Sequence, residues 1–130
     1  GKEALKQIIG EVETAMASPD GLGQLVFYPE GTRTKPGTSL PYKHGVGSIQ
    51  RATGLPIVPV AVNCGMFWPK RGFPIQGGTA VIEFLPILPP GTRAGAVMET
   101  LYEQIEGASM RLYAQAGGKP VIADNAEDGA

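Results

Sequence analysis

The sequence predicts an α/β fold, a small mixed sheet of about three strands with flanking helices. Three observations predict it. Two stretches carry apolar residues at three-to-four spacing, the mark of a one-faced helix. Three short apolar runs, Leu25–Tyr28, Ile57–Val62 and Thr79–Leu85, are bounded by Gly- and Pro-bearing segments, as strands are. The 130 residues are 42% apolar and 18% charged, a globular composition with room for one domain.

The elements follow in order. Ala4–Ala17 places Leu5, Ile8, Ile9, Val12, Ala15 and Met16 on one helical face, and Ser18–Pro19–Asp20–Gly21 ends it. Leu25–Tyr28 is expected as a short buried strand that stops at Pro29. Glu30–Tyr42 reads as a loop rich in Gly, Pro, Thr and Ser. Gly45–Thr53 reads as a short helix stopped by Gly54, with Pro56 beyond. Ile57–Val62 is a second strand, and Pro59 inside it points to an edge or a bulge. Cys64–Gly78 is irregular, Thr79–Leu85 is a third strand, and Pro86–Gly91 closes it. Arg93–Ala114 is a long helix with Val97, Met98, Leu101, Ile105, Ala108 and Leu112 on one face. The domain is expected over residues 1–116, with residues 117–130 as a flexible tail.

Strand, helix and strand over Leu25–Val62 form a βαβ unit, whose strands should run parallel. Ligands of such sheets sit beyond the carboxyl ends of the strands. The stretch FYPEGTRTKPG, Phe27–Gly37, leaves the first strand at that end.

Composition excludes several functions. A formal net charge of −1 argues against a nucleic-acid partner, which requires a cationic surplus. The single cysteine forms no intrachain disulfide and no four-cysteine zinc site, and no metal is expected. No apolar run is long enough to predict a transmembrane helix. Gly45-Val-Gly-Ser has Gln50 where a dinucleotide loop needs its third glycine, and Gly117–Gly118–Lys119 lacks the earlier glycine of a P-loop.

The loop itself suggests an anion. Arg33 offers a planar fork of donors for phosphate or carboxylate. Gly31 allows close backbone approach or a positive φ, and Thr32 adds a hydroxyl. Glu30 fits two tasks, orienting Arg33 or accepting a hydrogen bond from a substrate hydroxyl. Lys35, Lys43, His44 and Arg51 follow closely and make the region locally cationic. An anionic small molecule fits this pattern better than a macromolecule. A surface ion pair between Glu30 and Arg33 beside a turn fits the spacing equally well.

The stretch YPEGTRT, Tyr28–Thr34, with LPIVPVAVN downstream, resembles the glycerolipid acyltransferase family, and most closely the bacterial 1-acylglycerol-3-phosphate acyltransferases. Tyr28–Thr34 matches the family's third block, with Tyr for the usual Phe and Thr for the usual Ser. Ile57–Ala61 matches the apolar fourth block, and Lys43 and Gly45 match a lysine–glycine feature between them. The likeness runs from about Lys2 to Leu112.

The resemblance implies a partial glycerolipid-acyltransferase-like fold. It also implies transfer of a fatty acyl group from acyl-CoA or acyl carrier protein to lysophosphatidate, giving phosphatidate. No cofactor beyond that co-substrate is implied. Glu30, Gly31, Thr32 and Arg33 would bind the acceptor phosphate, with Lys43 as a second cation. The implied partners are a lysophospholipid, an acyl-thioester donor and a membrane surface, at its cytoplasmic face. The family's catalytic histidine–aspartate pair, four residues apart, has no match. The one histidine is His44, and position 49 is Ile. The family's second block is also unmatched. The expectation is therefore a C-terminal part of a longer enzyme, inactive alone and prone to associate through an uncovered sheet edge. A non-catalytic anion- or lipid-binding module stays open, as does another acceptor, such as lyso-ornithine lipid or glycerol 3-phosphate.

Two further features remain. Cys64 is expected to be a buried structural thiol. Met66–Phe73, MFWPKRGF, either meets a lipid headgroup region with its rings and cations or closes the core beneath the loop.

Overall fold

The computed structural model describes residues 1–21, 23–69, 75–91 and 93–118. The described residues form three α-helices and a two-stranded sheet, in the order α1 (Lys2–Ala17), α2 (Gly45–Thr53), β1 (Val60–Val62), β2 (Ile82–Phe84) and α3 (Ala94–Gln115), with α3 packed on the sheet. All three helices lie where the sequence predicts them, α1 and α3 from their apolar spacing and α2 from its glycine stop.

In α1 the predicted stripe is only partly covered: Val12 is buried, whereas Met16 is 42% exposed. The helix packs on α2. Between α1 and α2 lies Phe27, whose ring would stand 3.2 Å from a Cβ on Gly45. A larger residue at 45 would press on that ring, so the first residue of α2 is small for a packing reason.

Helix α2 closes with Gly54 in the left-handed region, φ 70, its N–H donating to the Gln50 carbonyl at 2.8 Å. Gln50 is itself buried. Its amide donates to the carbonyls of Leu55 at 3.0 Å, Leu88 at 3.3 Å and Pro89 at 3.4 Å. One side chain thus satisfies acceptors on two segments far apart in sequence.

The strands pair antiparallel, with Val60 opposite Phe84, Ala61 opposite Glu83 and Val62 opposite Ile82. An isolated bridge joins Ile57 to Leu88. Pro59 separates bridge from strand, as its place in the run predicts. It has no N–H to give, but its carbonyl accepts from Leu85 at 2.9 Å. Ala61 faces α3 and packs with Ala108 and Leu112, joined by Val81 and Leu85. Glu83, on the same face, pairs with Arg111. The opposite face is open, with Val62, Ile82 and Phe84 exposed. Toward its N-terminal end α3 supplies Val97, Met98 and Leu101 to a second cluster with Tyr42, Val46, Ile57, Leu88 and Ile105. The predicted face of α3 is the observed one.

The parallel βαβ unit does not form. Leu25–Tyr28 is irregular: Phe27 turns in between α1 and α2, while Val26 is 68% and Tyr28 76% exposed. Among the described residues the sheet has two strands instead of three, and they run antiparallel. The physical reason is pairing: an apolar run becomes a strand only when a neighbour accepts its backbone donors. Here β1 bonds to β2, and Leu25–Tyr28 finds no ladder partner among the described residues. Residues 119–130 of the expected tail lie outside the described residues.

Candidate functional site

The EGTR loop is built by hydrogen bonds between its two limbs. The Gly31 N–H donates to the Tyr28 carbonyl at 3.0 Å, and Gly31 has φ +73. That tight turn requires the conformational freedom of glycine. The Lys43 N–H donates to the Pro29 carbonyl at 2.8 Å and draws the returning limb against the outgoing one.

Glu30 sits between the limbs. One carboxylate oxygen accepts from the Leu40 N–H at 3.0 Å, and the other lies 3.5 Å from the Thr34 hydroxyl. No ion pair joins Glu30 to Arg33. The carboxylate therefore braces the loop and does not orient the guanidinium. The surface-pair reading fails for the same reason.

Arg33 turns instead to the segment after β1. Its Nη2 donates to the Trp68 carbonyl at 3.0 Å. A guanidinium has five N–H donors, so this contact leaves others for an anion. Thr32 is exposed beside it.

Lys43 and Gly31 are brought together. The lysine Nζ lies 2.7 Å from where a Cβ on Gly31 would stand. The bare backbone of residue 31 leaves the space that the ammonium fills. Helix α2 begins two residues later, and its N-terminal end favours negative charge. His44 is exposed at that junction.

Helix α3 also contributes, through residues that the sequence did not single out. The Tyr42 hydroxyl donates to Glu106 Oε1 at 2.7 Å. The rings of Tyr42 and Tyr102 meet edge to face, with centroids 5.0 Å apart. The Tyr102 hydroxyl and Ser39 Oγ lie at 2.9 Å. Burial pushes the Glu106 carboxyl above its ordinary value, and the charge of Glu30 adds to this; the Tyr42 hydrogen bond acts in the opposite direction. Burial, then the bond and charge of Glu106, hold the Tyr42 phenol far above its ordinary range, so it stays a neutral donor. A polar pair at 102 and 106, one helical turn apart beside the apolar stripe, is the signal that marks this face.

Cys64 corrects an expectation. It is exposed in the single helical turn Cys64–Met66, which follows β1 and buries none of its residues, so the alternation that buries Ala61 in the strand does not extend to it. In the aromatic segment, Phe67 packs over Gly78, in the space a side chain there would need, while Trp68 is 64% exposed. Lys70, Arg71 and Phe73 lie outside the described residues. Phe67 and Gly78 also line a cleft of about 410 Å³ with Asn63, Val81 and Leu112. Among the described residues no helix is long and apolar enough to cross a membrane.

Comparison with known proteins agrees with the motif. A family model described as Acyltransferase matches residues 3–63, which span α1, the loop, α2 and β1. A 1-acyl-sn-glycerol-3-phosphate acyltransferase of Pseudomonas aeruginosa is 33% identical over 87 residues, covering 67% of this chain and 33% of the relative. A chloroplastic protein of the same name from Brassica napus is 39% identical over 89 residues, covering 66% of this chain and 25% of the relative. One from Cocos nucifera is 36% identical over 61 residues, covering 46% and 20%. The chain thus spans a third or less of the length of these curated relatives. No solved structure matches it. The EGTR loop and the apolar VPV stretch both lie inside the matched residues, and the motif and the matches together support the glycerolipid acyltransferase family for this chain.

Proposed function

We propose that this chain carries the acceptor-binding side of an acyltransferase that moves a fatty acyl group from acyl-CoA or acyl carrier protein to lysophosphatidate. The observation that carries the reading is the seat of Lys43 on Gly31, within the loop that also holds Arg33. A lysophosphatidate head is a phosphomonoester. An ammonium on a stiff turn supplies a point charge to it, and a guanidinium supplies a directed fork. Glu30 does not oppose this arrangement strongly, because its oxygens face donors of the loop itself.

Acyl transfer further requires a base for the acceptor hydroxyl. The family's histidine–aspartate pair is not in this chain, where His44 is followed at position 49 by Ile. The isolated chain binds acceptor and does not turn over. That same observation favours the second reading, a non-catalytic module that recognises anionic lipid heads. Contact with the cytoplasmic face of a membrane belongs to the proposal too, supported by the exposed Trp68.

The test is titration of the 130-residue chain with lysophosphatidate. Arg33→Ala raises Kd roughly tenfold, the loss of one charge-assisted hydrogen bond. An unaltered Kd refutes the phosphate role. Titrating glycerol 3-phosphate and lyso-ornithine lipid alongside separates the acceptors. Acyl transfer above background by the purified chain refutes the expected inactivity.

A further inference from the structure

We propose that Tyr42 is a positioning residue: anchored on Glu106 of α3, it fixes the limb that carries Lys43 and so sets where the ammonium of the site stands. The inference rests on the phosphate-binding reading above.

Tyr42 and Lys43 are neighbours with opposite surroundings, the first half-buried and the second exposed. The Tyr42 ring joins the cluster of Val97, Met98 and Leu101, and its hydroxyl reaches Glu106. The Ser39–Tyr102 contact ties the same limb to α3 three residues earlier. The inner side of the limb is held by two more bonds, from the Leu40 N–H to Glu30 and from the Lys43 N–H to Pro29.

A lysine side chain by itself is no fixed point, since its flexible stem carries about 2 kcal/mol of rotamer entropy. Its ammonium is found on Gly31 because the backbone at 43 is held from both sides. The apolar ring alone would seat Tyr42 in the core. The hydroxyl adds direction, because a hydrogen bond to a carboxylate constrains rotation and depth as ring packing does not. Glu106, which lies 64 positions from Tyr42, thereby influences a site that it does not touch.

The test uses the whole chain and three variants. Tyr42→Phe keeps the ring and removes the hydroxyl. Glu106→Ala removes the acceptor, and Glu106→Gln keeps an oxygen that can accept. In Tyr42→Phe, the amides of Leu40 and Lys43 exchange hydrogen roughly tenfold faster, whereas the Gly54 amide at the end of α2 does not change. The lysophosphatidate Kd rises roughly fivefold in Tyr42→Phe and Glu106→Ala and stays within about twofold of the parent in Glu106→Gln. Rescue by the glutamine separates positioning from a general loss of structure. Should Glu106→Ala not fold, Tyr42→Phe carries the test alone.

Unaltered exchange at Leu40 and Lys43 in Tyr42→Phe overturns the positioning role, whatever the chain binds. So does an unaltered Kd in that variant when Arg33→Ala weakens binding. Faster exchange in Tyr42→Phe, with no lysophosphatidate binding by the parent chain, supports the hold on the limb and overturns only the acceptor reading.

Discussion

The ammonium of Lys43 stands where the side chain of residue 31 would begin, 2.7 Å from the place a Cβ on Gly31 would take. Gly31 and Lys43, on the outgoing and returning limbs of the loop, therefore share one small volume. That sharing depends on a glycine for two reasons, the space itself and the φ of +73.

Gly31→Ala should act through both. The left-handed backbone costs an alanine about 1–2 kcal/mol, and the new methyl displaces the flexible end of Lys43. Thermal unfolding is expected to shift downward and lysophosphatidate affinity to fall together. Lys43→Met should lower affinity and leave the melting temperature nearly unchanged, because an exposed ammonium contributes little to folding. A melt of Gly31→Ala that matches the parent would contradict the turn.

The second prediction concerns pH. The Glu106 carboxyl titrates above its ordinary 4.5 in the folded chain, through burial first and the charge of Glu30 after it. The folded state therefore holds a proton that the unfolded state has released. Stability from this group is complete below 4.5 and is lost as pH rises through the raised value. Glu106→Gln has no such titration. Its melting temperature, measured from pH 4 upward, is expected to gain on the parent's as pH rises past about 4.5. A constant difference across that range would remove the raised carboxyl from the account.

Phe67 and Trp68 should separate cleanly. Phe67 packs over Gly78, so Phe67→Ala is expected to cost about 2 kcal/mol, below the value for a fully buried ring. Trp68 holds Arg33 through its backbone carbonyl, which a serine also has. Trp68→Ser is expected to leave the melt within about 0.5 kcal/mol and to weaken sedimentation with anionic vesicles. Retained vesicle binding with a lowered melt would assign the indole to the core.

The open sheet face yields the last prediction. Ile82 and Phe84 are 63% and 73% exposed on one face of a two-stranded sheet. Phe84→Lys should reduce concentration-dependent association in sedimentation velocity without lowering the melting temperature. Apolar area of that kind drives association. A parent chain that stays monomeric at high concentration would refute the premise.

The legible parts of this protein share a property. The apolar stripes of α1 and α3 and the Gly54 stop of α2 are all written within one segment. Helical hydrogen bonds close over four residues, so local spacing is enough. Pro59 was legible as an interruption for the same reason. The chemistry of the EGTR loop was legible as a set of residue types, and its family was legible with it.

The sequence by itself determined the helices, the faces they turn inward and the residue types of the EGTR loop. Only the tertiary structure decided that Leu25–Tyr28 would find no strand to pair with among the described residues, and that Glu30 would brace the loop in place of holding Arg33. It alone decided that Lys43 would rest on Gly31, and that Tyr102 and Glu106 of α3 would hold the returning limb. A ladder, a brace and a seat each require a partner from a distant stretch of chain, and no spacing within one stretch specifies which partner arrives.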